Sequence, residues 1–177
     1  MIVKIGGVVR IIIFIVLMSM FGSASAQWEL DESVDAMTDD VSRKAYVASA
    51  DGHAFIVVRK NDGKVWGYLM LPEGEFFKIN DSVMLRVDKN KPKNFDDRLQ
   101  REFGVASYEW KPDLLGFLIW HGKAGEGCGL VSELLKGDEM VIRYHPREST
   151  LKDVRFDISE NGEAVRAGLW LEEGQCE

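Results

Sequence analysis

Apolar and polar residues alternate at every second position in several stretches of this chain, a pattern typical of strands with one buried face. In Leu151–Ile158, apolar side chains at positions 154, 156 and 158 alternate with charged ones at 153, 155 and 157. Val83–Asp88 shows the same alternation. Two turn signals, Asp51-Gly52 and Asn61-Asp62-Gly63, separate further apolar runs and predict hairpins.

Such runs dominate the chain and predict a mainly β fold. The predicted strands are Ala45–Ala50, His53–Arg59, Lys64–Leu71, Phe76–Ile79, Val83–Asp88, Val105–Trp110, Leu114–Trp120, Glu139–His145 and Leu151–Ile158. Strands joined by short turns pair in antiparallel fashion, so we expect an antiparallel β-sandwich or small barrel.

Helices are predicted only as short segments. Asp96–Phe103 favours a short helix, and Leu130–Leu135 favours a helical turn that ends at Gly137. Gly162–Leu171 predicts a short C-terminal helix with Ser159 as its N-cap.

Three polar stretches are expected to lie outside regular structure. Gln27–Arg43 is acidic and predicts a solvated segment in which Thr38 or Asp39 caps a turn. Asp88–Asp97 is a polar loop, and Gly122–Gly129 is a glycine-rich loop.

The first 26 residues have the three parts of a secretory signal peptide. A positively charged start leads into the apolar run Ile11–Phe21, and small residues follow up to Ala26. We expect cleavage between Ala26 and Gln27. The alternative is a retained membrane anchor, but this eleven-residue run is shorter than the roughly 20 apolar residues that span a bilayer. Extending the run would bury Arg10 in lipid, which is costly.

Cleavage would leave residues 27–177 as a single exported β-rich domain, periplasmic or secreted, with no stable membrane insertion. Cys128 and Cys176 are the two cysteines of the chain, and an oxidising compartment favours a disulfide between them. Since they lie 48 positions apart, closing this loop would stabilise the fold by about 4 kcal/mol. The alternative is a reactive free thiol at Cys128 that His121 activates.

The charge of the chain restricts its partners. It has 22 Lys and Arg against 29 Asp and Glu, a net charge of −7, and the segment after residue 26 keeps 20 against 29, a net charge of −9. Such a surface repels phosphate backbones, so we expect no nucleic-acid partner. The chain is 46% hydrophobic, which excludes disorder over most of its length.

Motifs for known chemistries are missing from the sequence. His53, His121 and His145 are far apart and lack metal-ligand spacing, so we expect no metal and no cofactor, with the histidines at the surface or in turns. The sequence contains no G-x-S-x-G motif of a serine hydrolase. The glycine-rich run Gly122–Gly129 matches neither the Walker motif nor the Rossmann motif, which bind phosphate groups. The acidic segment lacks the spacing of a calcium loop. We therefore predict no catalytic residues.

Tryptophans are the best candidates for partner contacts. The chain has five, and most are expected to fill the core of a small β-domain. Trp120, beside His121 and the glycine-rich loop, is the one singled out as a partner contact.

Several short segments resemble two groups of exported bacterial proteins. Trp28 followed by Asp35-Ala36-Met37-Thr38-Asp39 resembles the start of domains in the type VI secretion-associated TagO/VasI group. Leu71-Pro72-Glu73-Gly74 and Val83–Asp88 resemble segments of the invasion-associated locus B proteins. Segments similar to the close of both groups are Leu134–Gly137, Met140–Tyr144, Val154–Ile158 and Ala164–Leu169. The resemblance implies a small exported β-domain with a final helix and disulfides, associated with the bacterial envelope or with secretion. Those relatives often carry an additional cysteine pair, which this chain lacks.

Three functions follow as hypotheses. The first is a non-catalytic exported binding or accessory module for another protein or an envelope component, which predicts an exposed apolar or aromatic patch. The second is an inhibitor or immunity protein that blocks a basic-surfaced toxin or enzyme, which predicts a one-sided acidic surface. The third is a small hydrolase, which requires a pocket where titratable residues converge.

Overall fold

A computed structural model describes residues 27–78, 83–95, 108–122, 127–160 and 162–176. The expected cleavage site and the predicted helix Asp96–Phe103 lie outside these residues, except for Gln27. The strands are β1 (Glu29–Val34), β2 (Val41–Ala48), β3 (Ala54–Arg59), β4 (Val65–Met70), β5 (Met84–Val87), β6 (Lys93–Asn94), β7 (Tyr108–Lys111), β8 (Leu114–Trp120), β9 (Glu139–Tyr144) and β10 (Lys152–Asp157). The helices are α1 (Leu130–Lys136) and α2 (Gly162–Gly168).

The strands form two antiparallel sheets that enclose one hydrophobic core. The larger sheet has the order β1-β2-β3-β4-β8-β7, and the smaller has the order β10-β9-β5-β6. Aromatic rings meet between the sheets: Phe55 of β3 lies 6.3 Å from Phe156 of β10, and Phe117 of β8 lies 4.4 Å from Phe95. The predicted mainly β fold, an antiparallel sandwich with a short helix near the C-terminus, is therefore confirmed.

The two turn signals form the expected hairpins. Asp51-Gly52 joins β2 to β3, and Asn61-Asp62-Gly63 joins β3 to β4. Gly52 and Gly63 adopt φ angles of +87° and +84°, which a side chain would strain. These turns fix the register in which Ala45 and Val47 face the core.

Gln27–Arg43 is mostly exposed, as expected for a solvated segment, but it has regular structure. Its residues form β1 and the start of β2, with Asp31 opposite Lys44 and Ser33 opposite Ser42. These polar pairs contact each other directly, since Asp31 lies 3.0 Å from the Lys44 ammonium and the two serine hydroxyls are 2.7 Å apart. Cross-strand pairing of this kind supports a strand that apolar alternation alone does not reveal.

The turn between β1 and β2 agrees with expectation in part. The Thr38 hydroxyl oxygen accepts a bond from the Asp40 N–H at 3.4 Å, but the shorter caps come from Asp35, whose carboxylate accepts hydrogen bonds from the N–H groups of Met37 and Thr38, at 2.8 and 3.0 Å. These bonds, the Met37 N–H first, hold the pKa of the Asp35 carboxyl below its usual range.

Four other boundaries differ from the predictions. In Phe76–Ile79, Phe77 makes only an isolated bridge to Pro146. Lys93–Asn94 adds a short strand within the polar loop Asp88–Asp97. Ser159 donates its hydroxyl to Asp157 at 2.7 Å instead of capping a helix. The last helix ends at Gly168 rather than Leu171.

Gly168 lets α2 approach the larger sheet closely. A Cβ at this position would lie 2.7 Å from the backbone nitrogen of Ala45 and 3.0 Å from its Cβ. The helix buries Ala164 and Val165 over the inner face of β1 and β2, next to Trp28. Glycine normally weakens a helix, so its presence here reflects the space available rather than helix propensity.

We expect Gly168→Ala to lower the free energy of unfolding by about 1–3 kcal/mol, because the added methyl group overpacks a contact with backbone atoms. Urea denaturation followed by tryptophan fluorescence measures the change. Gly162→Ala is the matched control, since a Cβ there would lie 3.5 Å from its nearest neighbour, the carbonyl oxygen of Leu135. Equal stability of Gly168→Ala and the wild type would show that the helix moves away at no cost.

Candidate functional site

The hairpin of β1 and β2 extends beyond the part of the sandwich that covers its inner face. On that face Leu30 lies opposite Ala45, Glu32 opposite Arg43, and Val34 opposite Val41. Ala45 is fully buried, whereas the residues nearer the turn are accessible. The inner row of side chains therefore begins in the core and ends in solvent.

This overhang carries most of the exposed apolar surface. Among the described residues, five of the eight exposed large hydrophobic side chains lie on it or beside it. We call this group the hairpin patch, and its members are Leu30 (43% exposed), Val34 (59%), Met37 (91%), Val41 (43%) and Trp170 (48%). Clustered exposed apolar side chains mark interaction sites, whereas scattered ones need no explanation.

Trp170 is the aromatic member of the hairpin patch, and its backbone is strained. It follows α2 with a φ angle of +53°, a conformation that favours glycine at the end of a helix. The N–H of Leu171 donates to the carbonyl of Arg166 at 3.0 Å and closes the helix around this residue. A tryptophan at such a position costs about 1–2 kcal/mol relative to glycine, so its side chain is retained against a local penalty.

Arg43 connects Trp170 to the hairpin. Its guanidinium lies 4.0 Å from the centroid of the Trp170 ring, and its Nε pairs with the carboxylate of Glu32. The ring is thereby held in one orientation while nearly half of its surface stays open to solvent. An oriented, accessible tryptophan beside an arginine is typical of the energetic centre of a protein interface.

The rim of the hairpin patch is acidic. Asp31 and Glu32 lie on β1, and Asp35, Asp39 and Asp40 form the turn. Arg43 and Lys44 each pair with one of these carboxylates, which leaves the three turn aspartates as excess negative charge. The patch is thus an apolar centre with a negative rim.

The residues predicted from sequence as a partner contact lie elsewhere. Trp120 is only 6% exposed and packs in the main core, and His121 beside it is half-buried. The guanidinium of Arg59 lies 5.7 Å from the centroid of the Trp120 ring. The partner contact remains a prediction, and the burial of the Trp120 ring does not favour it.

The two cysteines are joined. Cys128 and Cys176 form a disulfide, with a Cα–Cα distance of 5.3 Å, between the loop before α1 and the tail after α2. Neither cysteine is a free thiol, so the alternative of a nucleophilic Cys128 beside His121 is wrong for this structure.

The three histidines do not converge. His53 lies in the turn between β2 and β3, as expected for a turn position, but it is fully buried, while His121 and His145 are half-buried. Within the described ranges, no group of three or more His, Cys, Asp and Glu side chains is arranged to hold a metal ion.

His53 is the centre of a buried polar cluster that joins the two sheets. Its Nδ1 lies 2.9 Å from Asp51 Oδ1, and its Nε2 lies 2.7 Å from the hydroxyl of Tyr144 on β9. Glu75 Oε2 is 3.6 Å from the same Nε2, and the ammonium of Lys152 lies 3.1 Å from that carboxylate oxygen. Burial, together with the charge of Glu75, raises the pKa of Tyr144, so its hydroxyl stays protonated.

This cluster contains a serine, a histidine and an aspartate but not in a nucleophilic arrangement. Asp51 Oδ1 accepts from the Ser49 hydroxyl at 2.5 Å and faces Nδ1 of His53. The other ring nitrogen faces Tyr144, so no imidazole nitrogen is directed at the Ser49 hydroxyl. The histidine ring also has no exposed surface from which to reach a substrate.

A wide cleft next to this cluster is lined by side chains that pair with one another. It has a volume of about 810 Å³ and lies between the ends of β1 and β2 and the edge strand β10. Arg155 and Glu139, which line it, pair at 2.8 Å, and Asp157 accepts from Ser159. Because these side chains already bind one another, a structural role for the cleft is favoured over the hydrolase hypothesis.

Comparison with known proteins adds no further assignment. No family model, curated protein or solved structure matches the chain. The described residues include no helix that is long and apolar enough to cross a membrane.

Sequence reasoning missed the hairpin patch because its signal is weak. Leu30, Val34 and Val41 are single apolar residues in an acidic segment, and only the spacing of four between Leu30 and Val34 marks one face of a strand. Trp170 was read as part of a helix, where no positive φ is expected. The register of β1 on β2 and the early end of α2 were needed to bring these residues together.

Proposed function

We propose that this chain is a non-catalytic binding module that docks a partner protein on the hairpin patch. The observation that carries the proposal is the oriented, half-exposed Trp170 beside a hairpin that carries further exposed apolar side chains. Exposed apolar side chains grouped near an oriented tryptophan are typical of a protein interface.

The charge of the rim selects the partner. Asp35, Asp39 and Asp40 would attract a surface that carries lysine or arginine around an apolar centre. They would repel a second copy of this chain, since a two-fold contact places the same carboxylates opposite each other. The partner is therefore a different protein with a basic rim.

We further propose that the protein is exported and acts in the periplasm or outside the cell. The signal-peptide pattern of residues 1–26 and the disulfide between Cys128 and Cys176 support this location. The resemblance to the TagO/VasI group and to the invasion-associated locus B proteins fits an accessory role in secretion or host interaction.

The contact is tested by placing a photoreactive side chain at Met37 and irradiating cells that export the protein. We expect a cross-linked adduct from position 37 and none from Leu151, an equally apolar residue that is 61% exposed on the turn between β9 and β10. The partner peptide should be rich in lysine and arginine, and the adduct should decrease as salt rises. Equal adducts from both positions would contradict the proposal.

Trp170→Gly separates binding from stability. The glycine relieves the positive φ, so the free energy of unfolding should change by no more than about 1 kcal/mol, because the lost contact with Arg43 offsets that relief. Affinity for the cross-linked partner should fall by about thirtyfold, as expected for a central aromatic anchor. Leu151→Gly is the control that should leave affinity unchanged. Unchanged affinity of Trp170→Gly, measured by calorimetry, would rule out the hairpin patch as the anchor.

The acidic rim also favours a second function, an inhibitor or immunity protein for a basic-surfaced toxin or enzyme. The same surface would be used, but the partner would lose its activity on binding. Assaying the cross-linked partner with and without this protein distinguishes the two functions.

A further inference from the structure

The outer face of the larger sheet is apolar where a sandwich sheet is usually polar. Three adjacent strands, β3, β4 and β8, carry apolar side chains on both faces. In an antiparallel sheet with one solvated face, every second residue is expected to be polar. The sequence of these strands therefore indicates an outer face that contacts something other than water.

The outward side chains form a second hydrophobic cluster. Trp66, Tyr68 and Leu118 are nearly inaccessible, and the half-buried Ile56, Val58 and Leu114 pack against them. The rings of Trp66 and Tyr68 stack with centroids 6.2 Å apart. This cluster is separate from the core between the sheets.

A cavity of about 600 Å³ opens on this cluster. Its apolar wall is formed by Ile56, Val58, Tyr68 and Leu114. The charged side chains that the structure describes in its lining are three lysines, Lys44, Lys60 and Lys111, in a chain whose net charge is −7. A volume of this size matches typical ligand sites, which hold about 300–1,000 Å³.

The lysines differ in how firmly they are held. The ammonium of Lys60 lies 5.4 Å from the centroid of the Tyr68 ring, at the cavity wall. Lys44 pairs with Asp31 at the border of the polar ladder between β1 and β2. Lys111 is exposed and has no ion-pair partner within the described ranges. Lys60 and Lys111 are thus available to an incoming anion.

We propose that this cavity binds a soluble amphipathic anion, a molecule with an alkyl or aryl body and a carboxylate or phosphate head. The body contacts the apolar wall, and a charge-assisted hydrogen bond to the ammonium of Lys60 or Lys111, which both line the cavity, holds the head. Neither a cation nor a small hydrophilic anion has this combination of features. The site is on the opposite face of the sheet from the hairpin patch, so it is independent of the proposed partner contact.

Isothermal titration calorimetry with decanoate tests the proposal on the purified protein. We expect one saturable site for decanoate, and no comparable binding of decyltrimethylammonium or acetate. Binding of decyltrimethylammonium with equal affinity would reduce the cavity to a non-specific apolar surface and overturn the proposal. Absence of decanoate binding would do the same.

Charge-neutral variants locate the site. Lys60→Gln with Lys111→Gln should weaken decanoate binding by about tenfold, as expected for the loss of one charge-assisted bond. The matched control, Lys89→Gln with Lys136→Gln, removes the same charge from exposed positions outside the cavity and should leave the affinity unchanged. Val58→Trp fills the cavity, keeps its charges and should also abolish binding. Equal weakening in the control pair would show a general charge effect and contradict the site.

Vesicles distinguish a soluble ligand from a membrane surface. The protein is sedimented with vesicles of phosphatidylcholine alone and with vesicles that also contain phosphatidylglycerol. We expect no cosedimentation with either. Cosedimentation with anionic vesicles that the Lys60 and Lys111 substitutions abolish would replace the soluble amphiphile by a lipid surface and overturn the proposal.

Discussion

Replacing both cysteines by serine, Cys128→Ser with Cys176→Ser, is expected to lower the free energy of unfolding by about 4 kcal/mol. The disulfide closes a loop of 48 positions, and its removal restores the conformational freedom of that loop in the unfolded chain. Since domains of this size have a total stability of about 5–15 kcal/mol, the change is a large part of the whole. Urea denaturation measured by tryptophan fluorescence gives the difference.

The loss should be concentrated in the C-terminal tail. Cys176 is the last described residue. Besides the disulfide, this tail is held by bonds from Arg166 to the Gln175 carbonyl at 3.1 Å, from the Glu172 N–H to the Gln175 side chain at 3.1 Å, and from the Gln175 N–H to the Glu172 carbonyl at 3.0 Å. Amide exchange near Gln175 should therefore rise far more than exchange in β9. Reduced and alkylated wild type is the control and should match the double serine variant. A difference of less than about 1 kcal/mol between variant and wild type would contradict the loop-entropy account.

Mass spectrometry of the wild-type protein tests export. The intact mass of the naturally exported chain, recorded before and after reduction and alkylation, shows where the chain begins and whether the thiols are paired. We expect a mass that starts at Gln27 and cysteines that react only after reduction.

Tyr144→Phe is expected to cost about 1–3 kcal/mol of unfolding free energy, although it removes only one oxygen atom. The hydroxyl is the partner of a fully buried histidine nitrogen, and its loss leaves His53 Nε2 without that partner in a site that water does not reach. His53→Phe removes the imidazole and leaves Glu75 as the remaining hydrogen-bond partner of the Tyr144 hydroxyl. Each single change therefore removes the buried bond between His53 and Tyr144.

The double variant decides whether this bond is the cause. If His53 and Tyr144 stabilise the fold through each other, the combined cost should be smaller than the sum of the single costs by about 0.5–3 kcal/mol. Tyr46→Phe is the matched control, since it removes a hydroxyl that contacts Glu29 at the protein surface and should cause a much smaller change. Additive single costs would show that each residue acts through separate neighbours.

The strand pattern allowed most of the sandwich to be predicted, and it failed where polar pairing replaces apolar burial. Leu151–Ile158 was predicted correctly because burial on one face selects an apolar residue at every second position. β1 was missed because its outward row, Glu29, Asp31 and Ser33, is stabilised by contacts with β2 that a single strand does not display. The pairing of Cys128 with Cys176 was predictable because the chain has no other cysteine.

The sequence by itself therefore determined most of the strand content, the hairpin turns at Gly52 and Gly63, the acidic charge and the disulfide partners, since each depends on local pattern or on composition. The tertiary structure alone decided the sites. It buried Trp120, placed His53 against Tyr144 across the sandwich, and ended α2 so that Trp170 meets Arg43. Each of these contacts joins residues distant in sequence, and such contacts depend on sheet order and register, which apolar periodicity does not specify.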